Sequence, residues 1–173
     1  MRAVQRLFVA ALGLVPLFIP AEVAAAPVVA RTNATGKVSV LKSLSVIKQA
    51  DLDFGELVVA GAGTAVVDPV SGAITTTGAV TRIGTTAHPA VFTATGSKNS
   101  VVHIRVPTTS ITLARVGGGG TITVSNWTLD GSINRKIPPN SAFNFSVGGT
   151  VNVAAGQADG TYNGTFSLTV QYP

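Results

Sequence analysis

The chain holds two imidazoles, His88 and His103, and no cysteine. A nucleophilic triad or an imidazole-bound metal would therefore have to be built around one of these two rings. His103 falls on the outward phase of an alternating run, two residues before Arg105, which places it in solvent. His88 precedes Pro89, so its backbone is held extended, as at the start of a strand. Neither has a second imidazole at metal-ligand spacing. Asp51, Asp53 and Glu56 form the one acidic cluster, and Asp51 with Asp53 could turn oxygens to one side for Ca²⁺. The EF-hand spacing and its glycine are missing, and a solvated strand start accounts for these acids. Asp68, Asp130 and Asp159 would have to supply the second carboxylate of a glycosidase, but each is flanked by Gly or Pro in a turn pattern. Gly117–Gly120 lacks the Lys-Ser/Thr that follows a phosphate-cradling loop, so it reads as a flexible turn. These residues assemble no acid, base and nucleophile. The expectation is a protein that is not an enzyme and uses no cofactor and no metal.

Of the 173 residues, 46% are hydrophobic and 11% are charged, which suits one folded domain and excludes an intrinsically disordered chain. Twelve Lys and Arg against seven Asp and Glu give a net charge of +5, but the cations are scattered singly, which argues against a nucleic-acid partner. Without cysteine, stability outside the cell must come from packing and backbone pairing. Arg2 and Arg6, the apolar run Leu7–Ile19 and the small residues Ala21 and Ala24–Ala26 form a secretory signal peptide over residues 1–25, with cleavage after Ala25. Leu7–Ile19 is shorter than a spanning helix and is interrupted by Pro16, so no transmembrane anchor is expected. The address is the periplasm and then the cell surface or an extracellular fibre. Residues 26–37, rich in small polar types and carrying Pro27, read as a flexible arm before a domain over 38–173.

That domain alternates with period two. The last strand is the clearest: Tyr162, Gly164, Phe166, Leu168, Val170 and Tyr172 share one face, with Asn163, Thr165, Ser167, Thr169 and Gln171 on the other. Ala90–Ala94 and Val102–Val106, joined through Thr95–Asn99, read as a hairpin. Further strands are expected at Val38–Ile47, Leu52–Val59, Thr64–Val67, Ala73–Thr77, Ile111–Val116, Thr121–Leu129, Ala142–Val147 and Thr150–Val153. The apolar phase slips within Thr121–Leu129, which predicts a bulge near Ser125-Asn126. Turns are expected at Gly61-Ala62-Gly63, Asp68-Pro69, Gly117–Gly120 and Pro138-Pro139-Asn140. The pattern is that of an all-β, immunoglobulin-like antiparallel β-sandwich, with a closed barrel as the other arrangement. Its large core residues are Phe54, Phe92, Trp127, Phe143, Phe145 and Phe166.

Two stretches carry a resemblance. Leu44–Gly55, with its Leu52-Asp53-Phe54-Gly55, and the terminal Val147–Pro173 are similar to the DUF4402 family of secreted bacterial proteins. The ending also resembles spore coat U and archaic chaperone–usher pilins, which close on a Gly-x-Tyr turn and an alternating strand ending in Tyr. Chaperone–usher pilins often carry Gly fourteen residues from the C-terminus and a penultimate Tyr. Counting from Pro173, these positions are Gly160 and Tyr172. The resemblance implies a sandwich lacking one strand, filled first by a periplasmic chaperone and then, at the outer-membrane usher, by the next subunit's N-terminal extension. It implies that Gly160, Tyr162, Phe166, Leu168, Val170 and Tyr172 edge the assembly groove. Val38, Val40, Leu44 and Val46, on one face of Val38–Ile47, form the corresponding donor strand, interrupted by Lys42. The same residues would equally serve as the first strand of their own domain.

Two functions of different kinds follow. One is a secreted structural subunit of a bacterial fimbria or surface fibre, with like subunits as partners and β-strand donation as the mode of assembly. The other is a self-complete secreted β-sandwich that binds, for example, carbohydrate.

Overall fold

The structure, a computed structural model, describes residues 31–173. The expected signal peptide over 1–25, its cleavage site and the first residues of the expected arm lie outside the described residues. The chain divides into two units, Met1–Val38 and Ser39–Pro173. In the first, residues 31–38 make no ladder and are exposed.

Strands build the second unit, with no helix among the described residues: β1 (Ser45–Ala50), β2 (Glu56–Val67), β3 (Ile74–Ile83), β4 (Ala90–Thr95), β5 (Val101–Arg105), β6 (Ile111–Arg115), β7 (Thr121–Leu129), β8 (Asn134–Lys136), β9 (Ala142–Val153), β10 (Tyr162–Asn163) and β11 (Thr169–Gln171). All ladders are antiparallel. The strands form a large sheet ordered β1-β4-β9-β7-β6-β10, with β2 also on β9 and β3 on β2, and a small sheet ordered β11-β5-β8. The two make an all-β sandwich, as the period-two pattern requires when one face of each strand is buried.

The central strand is β9. Val147 pairs with Ala90 on one side and Leu129 on the other, and Val151 pairs with Ala65 and Val124. Hence β4 and β2 share one flank of β9, end to end, while β7 runs along the other. Where the two ladders meet, a Cβ on Gly148 would run into the Val67 carbonyl, Pro69 and Thr128 Oγ1, so only glycine fits. The β1–β4 and β2–β3 ladders are also one folded ribbon. From Ser45↔Thr95 to Ala50↔Val91 the pairing passes through the isolated Asp53↔His88 bridge and resumes from Glu56↔Ile83 to Val67↔Ile74.

The core falls into two clusters. One holds Phe92, Ile104, Phe145 and Val147 with Leu52, Leu168 and Val170 packed on it; the other holds Ala65, Val124 and Val151 with Phe54, Leu57 and Leu113. Trp127 packs on both. Phe92 stacks on Phe145 at 5.4 Å between ring centroids, and Phe166 meets Phe92 edge-on at 6.3 Å. The six expected core aromatics are thus all in these clusters.

Several strand expectations are corrected. β4 and β5 do not form a hairpin: they belong to different sheets, and Gly96–Ser100 carries the chain across the sandwich. The turn expected at Gly61-Ala62-Gly63 is a register shift inside β2, and β3 continues through Gly78 to Ile83. Ala142–Val147 and Thr150–Val153 are one strand, because Gly148 and Gly149 sit inside the ladder rather than in a turn. The single last strand is two, since Tyr162-Asn163 pairs with β6 of the large sheet and Thr169–Gln171 with β5 of the small one. The strand expected at Val38–Ile47 begins at Ser45. The bulge near Asn126 is present: the register shifts between Ser125 and Thr128, and Asn126 adopts φ 49°.

The turn after β2 rests on Asp68, whose Oδ1 accepts from Val70 N, Ser71 N and Ser71 Oγ at 2.7 to 2.9 Å. These bonds, chiefly those from Ser71, hold its carboxyl below the usual carboxylate range. A carboxyl depressed on folding stabilises above its unfolded pKa, and that contribution is lost as pH falls through the folded value. Asp68→Ala should therefore lower the thermal midpoint at neutral pH, with the gap to the parent closing in acid, as thermal melts across a pH series will show.

Candidate functional site

The apolar interior is not closed along one flank. An open cleft of about 1340 Å³ runs from Lys48 and Ala50 of β1 to Gly160–Phe166 of the C-terminal segment. Its floor comprises core residues of both clusters, among them Phe92, Leu113, Val124, Trp127 and Val151. Both bordering elements are ends of the large sheet: β1 lies last beyond β4, and β10, within the cleft segment, lies last beyond β6. Between β10 and β11, Gly164–Leu168 belong to no ladder. Their side chains still alternate, with Phe166 and Leu168 half-buried and Thr165 and Ser167 exposed. Phe166 lies against Trp127, with ring centroids 4.7 Å apart. This stretch has the side-chain order of a strand and the unpaired backbone of an edge.

The Leu52-Asp53-Phe54-Gly55 motif sits at one mouth of the cleft, and its spacing is explained by packing. Leu52 enters the first core cluster and Phe54 the second. Asp53 between them exchanges both backbone bonds with His88, at 3.0 and 2.9 Å, and its Oδ1 accepts from Gly55 N at 2.7 Å. Gly55 then turns the chain at φ 70°. Asp51 pairs with Lys48 at 2.6 Å on the exposed side. These contacts account for Asp51 and Asp53, Glu56 is exposed on the lining of the cleft, and among the described residues no three His, Cys, Asp or Glu side chains converge on one point. His103 bonds Asn134 through Nδ1 at 2.8 Å on the outer face of the small sheet, away from the cleft.

At the other end, the C-terminus holds the N-terminal part of the domain. Tyr172 Oη accepts from Ser97 N at 2.8 Å and donates to the Lys42 carbonyl at 2.9 Å, and Lys42 N donates to Ser97 Oγ at 2.5 Å. A Cβ on Gly96 would come within 2.7 Å of the Tyr172 hydroxyl and within 2.8 Å of Leu44 Cδ2, so the latch requires glycine there. Gly160 has φ 134° and packs on Arg115, whose Nε donates to the Asp159 carbonyl at 2.5 Å. Tyr162 Oη donates to the Ala158 carbonyl at 2.6 Å and accepts from Gln157 Nε2 at 2.7 Å.

The residues expected at the groove edge thus divide. Gly160, Tyr162 and Phe166 line the cleft, Leu168 and Val170 pack into the first core cluster beside it, and Tyr172 is the latch. The expected donor residues divide as well. Val46 pairs with Ala94 in β1 and Leu44 packs by Gly96, whereas Val38 and Val40 are 85% and 89% exposed and lie in no strand. The walls contributed by Leu57 and Val59 were not expected as site residues, and only the neighbouring Phe54-Gly55 hinted at them.

A strand-only, two-sheet sandwich with its apolar interior open between two sheet ends defines the class. The chain belongs to the DUF4402 family, whose model, described as a domain of unknown function, matches residues 44–172. That span runs from the residue packed beside Gly96 to the latch tyrosine. Comparison with curated proteins and with solved structures returned no significant match.

Removing the latch hydroxyl leaves the Ser97 N–H and the Lys42 carbonyl without this partner. Tyr172→Phe should cost about 0.5–1.5 kcal/mol in urea unfolding, with hydrogen exchange at Ser97 accelerated more than at Val147.

Proposed function

We propose that this protein is a secreted, non-enzymatic structural subunit of a bacterial fimbria or surface fibre, assembled from like subunits by β-strand donation. The observation that carries the reading is the cleft between β1 and Gly160–Phe166, where an apolar floor adjoins a stretch of alternating side chains whose backbone lacks a ladder. One inserted extended segment would gain backbone hydrogen bonds along that stretch and bury alternate apolar side chains against Trp127 and Phe166. The donor is the arm of the next subunit, with Val38 and Val40 as its apolar side chains, since Leu44 and Val46 serve their own domain. The endings at Gly160 and Tyr172 resemble chaperone–usher pilins, which makes a periplasmic chaperone and an outer-membrane usher the partners in assembly.

Material sheared from the cell surface should run on an unheated SDS gel as a ladder that collapses on boiling, and should show thin fibres by negative-stain microscopy. Phe166→Asp should abolish the ladder, and deletion of Ala26–Leu41 should leave a folded monomer that cannot donate. A single monomer band from abundant parent protein, with no fibres, would overturn strand donation in favour of a self-complete binding module.

A further inference from the structure

One wall of the cleft is built differently from the rest. Between Glu56 and Ala62, β2 pairs only with β3, because its ladder with β9 starts at Gly63. This part of the ribbon is bounded at both ends by glycines on both strands. At one end Gly63 pairs with Gly78, which has φ 70°. At the other, one step beyond the Glu56↔Ile83 pair, Gly55 and Gly84 stand opposite each other with φ 70° and 72°. Between these ends, Leu57 and Val59 line the cleft, and Leu57 packs on the cluster of Ala65, Val124 and Val151. On the opposite face, Val58 and Ile83 are 50% and 48% exposed. Beyond the pairing of β2 with β3, this part of the ribbon is held by side-chain contacts alone, chiefly those of Val80, which is 4% exposed. Gly63 and Gly78, packed closely against the facing backbone, fix one end, and Gly55 and Gly84 leave the backbone freer to rotate at the other.

We propose that Glu56–Ala62 and Ala79–Ile83 form a glycine-hinged panel that swings as a unit, widening the cleft for an entering chain segment and then closing Leu57 and Val59 over it. Strand donation supplies the identity of that segment; the hinge itself rests on the ribbon alone. The anchored halves of the ribbon, Gly63–Val67 on β9 and β4 on β9, stay in place. Motion is confined to the part that touches the sheet through side chains only.

The cysteine-free chain permits a single reporter thiol, Val80→Cys, on the inner face of the panel, where this residue pairs with Val59 and is buried. Its reaction with a water-soluble disulfide reagent reads opening in the isolated full-length protein. Asn tolerates the left-handed conformation but restricts it, so Gly84→Asn and Gly55→Asn stiffen one hinge without forbidding its geometry. Each should slow labelling at least about 5-fold with an unchanged urea midpoint. Unchanged labelling in both variants would overturn the hinge. Should either variant lose stability, the urea dependence of labelling in the reporter protein without a hinge substitution decides. A labelling rate that stays flat in urea well below the unfolding midpoint is the expected result, whereas a rate that rises with urea as global unfolding does would overturn the panel. Both readouts use protein with an empty cleft, so a failure to form fibres would refute strand donation and leave this result intact.

Discussion

Everything in this sandwich depends on β9 being paired along its whole length with three strands. A twelve-residue strand with one partner along each edge would build an ordinary twisted sheet with no break along either edge. Here one edge is shared end to end by β4 and β2, which belong to the same ribbon, so the ribbon must leave β9 and return to it. Gly148 makes the junction possible, because a side chain there would occupy the space taken by the Val67 carbonyl. The excursion of the ribbon carries Leu52, Phe54, Leu57 and Val59 to the cleft and gives the interior its open flank. Pairing at the centre therefore dictates an unpaired region at the side.

The burial pattern was largely legible from period two, since alternation records which face of a strand is covered. It does not record which sheet the strand joins. That is why Ala90–Ala94 and Val102–Val106 read as a hairpin although the chain between them changes sheets, and why Tyr162–Tyr172 read as one strand although its two ends pair with β6 and β5. Glycine misled in one consistent way. Gly61–Gly63 and Gly148-Gly149 look like turns in a linear reading, but both lie inside ladders, and at Gly63 and Gly148 a neighbouring carbonyl comes too close for a side chain. β8 was invisible because three residues show no period. The phase slip before Trp127 was readable, because a bulge leaves its mark within one strand.

The site was legible only in part, for the same reason. Gly160, Tyr162, Phe166 and Tyr172 stood out by their types and order near the end of the chain. What Tyr172 does requires a contact across 130 residues, to the Lys42 carbonyl, and nothing local encodes it. The Leu52-Asp53-Phe54-Gly55 motif was noticed as a signature, and its physical content emerged from the fold. Two apolar side chains two residues apart enter different core clusters, while the Asp between them caps the bend that Gly55 makes.

The latch also bears on how a strand-donating subunit would be built. A donor arm must be free of its own domain, yet the domain must fold before its groove is filled. Tyr172 divides these demands at Lys42: Leu44 and Val46 beyond it are folded into their own domain, and Val38 and Val40 before it lie in no strand. The same tyrosine ends the segment that edges the cleft, so in a strand-donating subunit one hydroxyl would set both where the arm begins and where the acceptor ends. An arm released at that point retains a regular spacing of apolar residues without competing for the ladder on β4. The cleft, with half-buried Trp127 and Phe166 and no backbone partner at Gly164–Leu168, presents both kinds of contact that such an arm supplies. Backbone pairing alone would be nonselective and apolar burial alone would lack register; acting on one segment, they give an acceptor a defined strand.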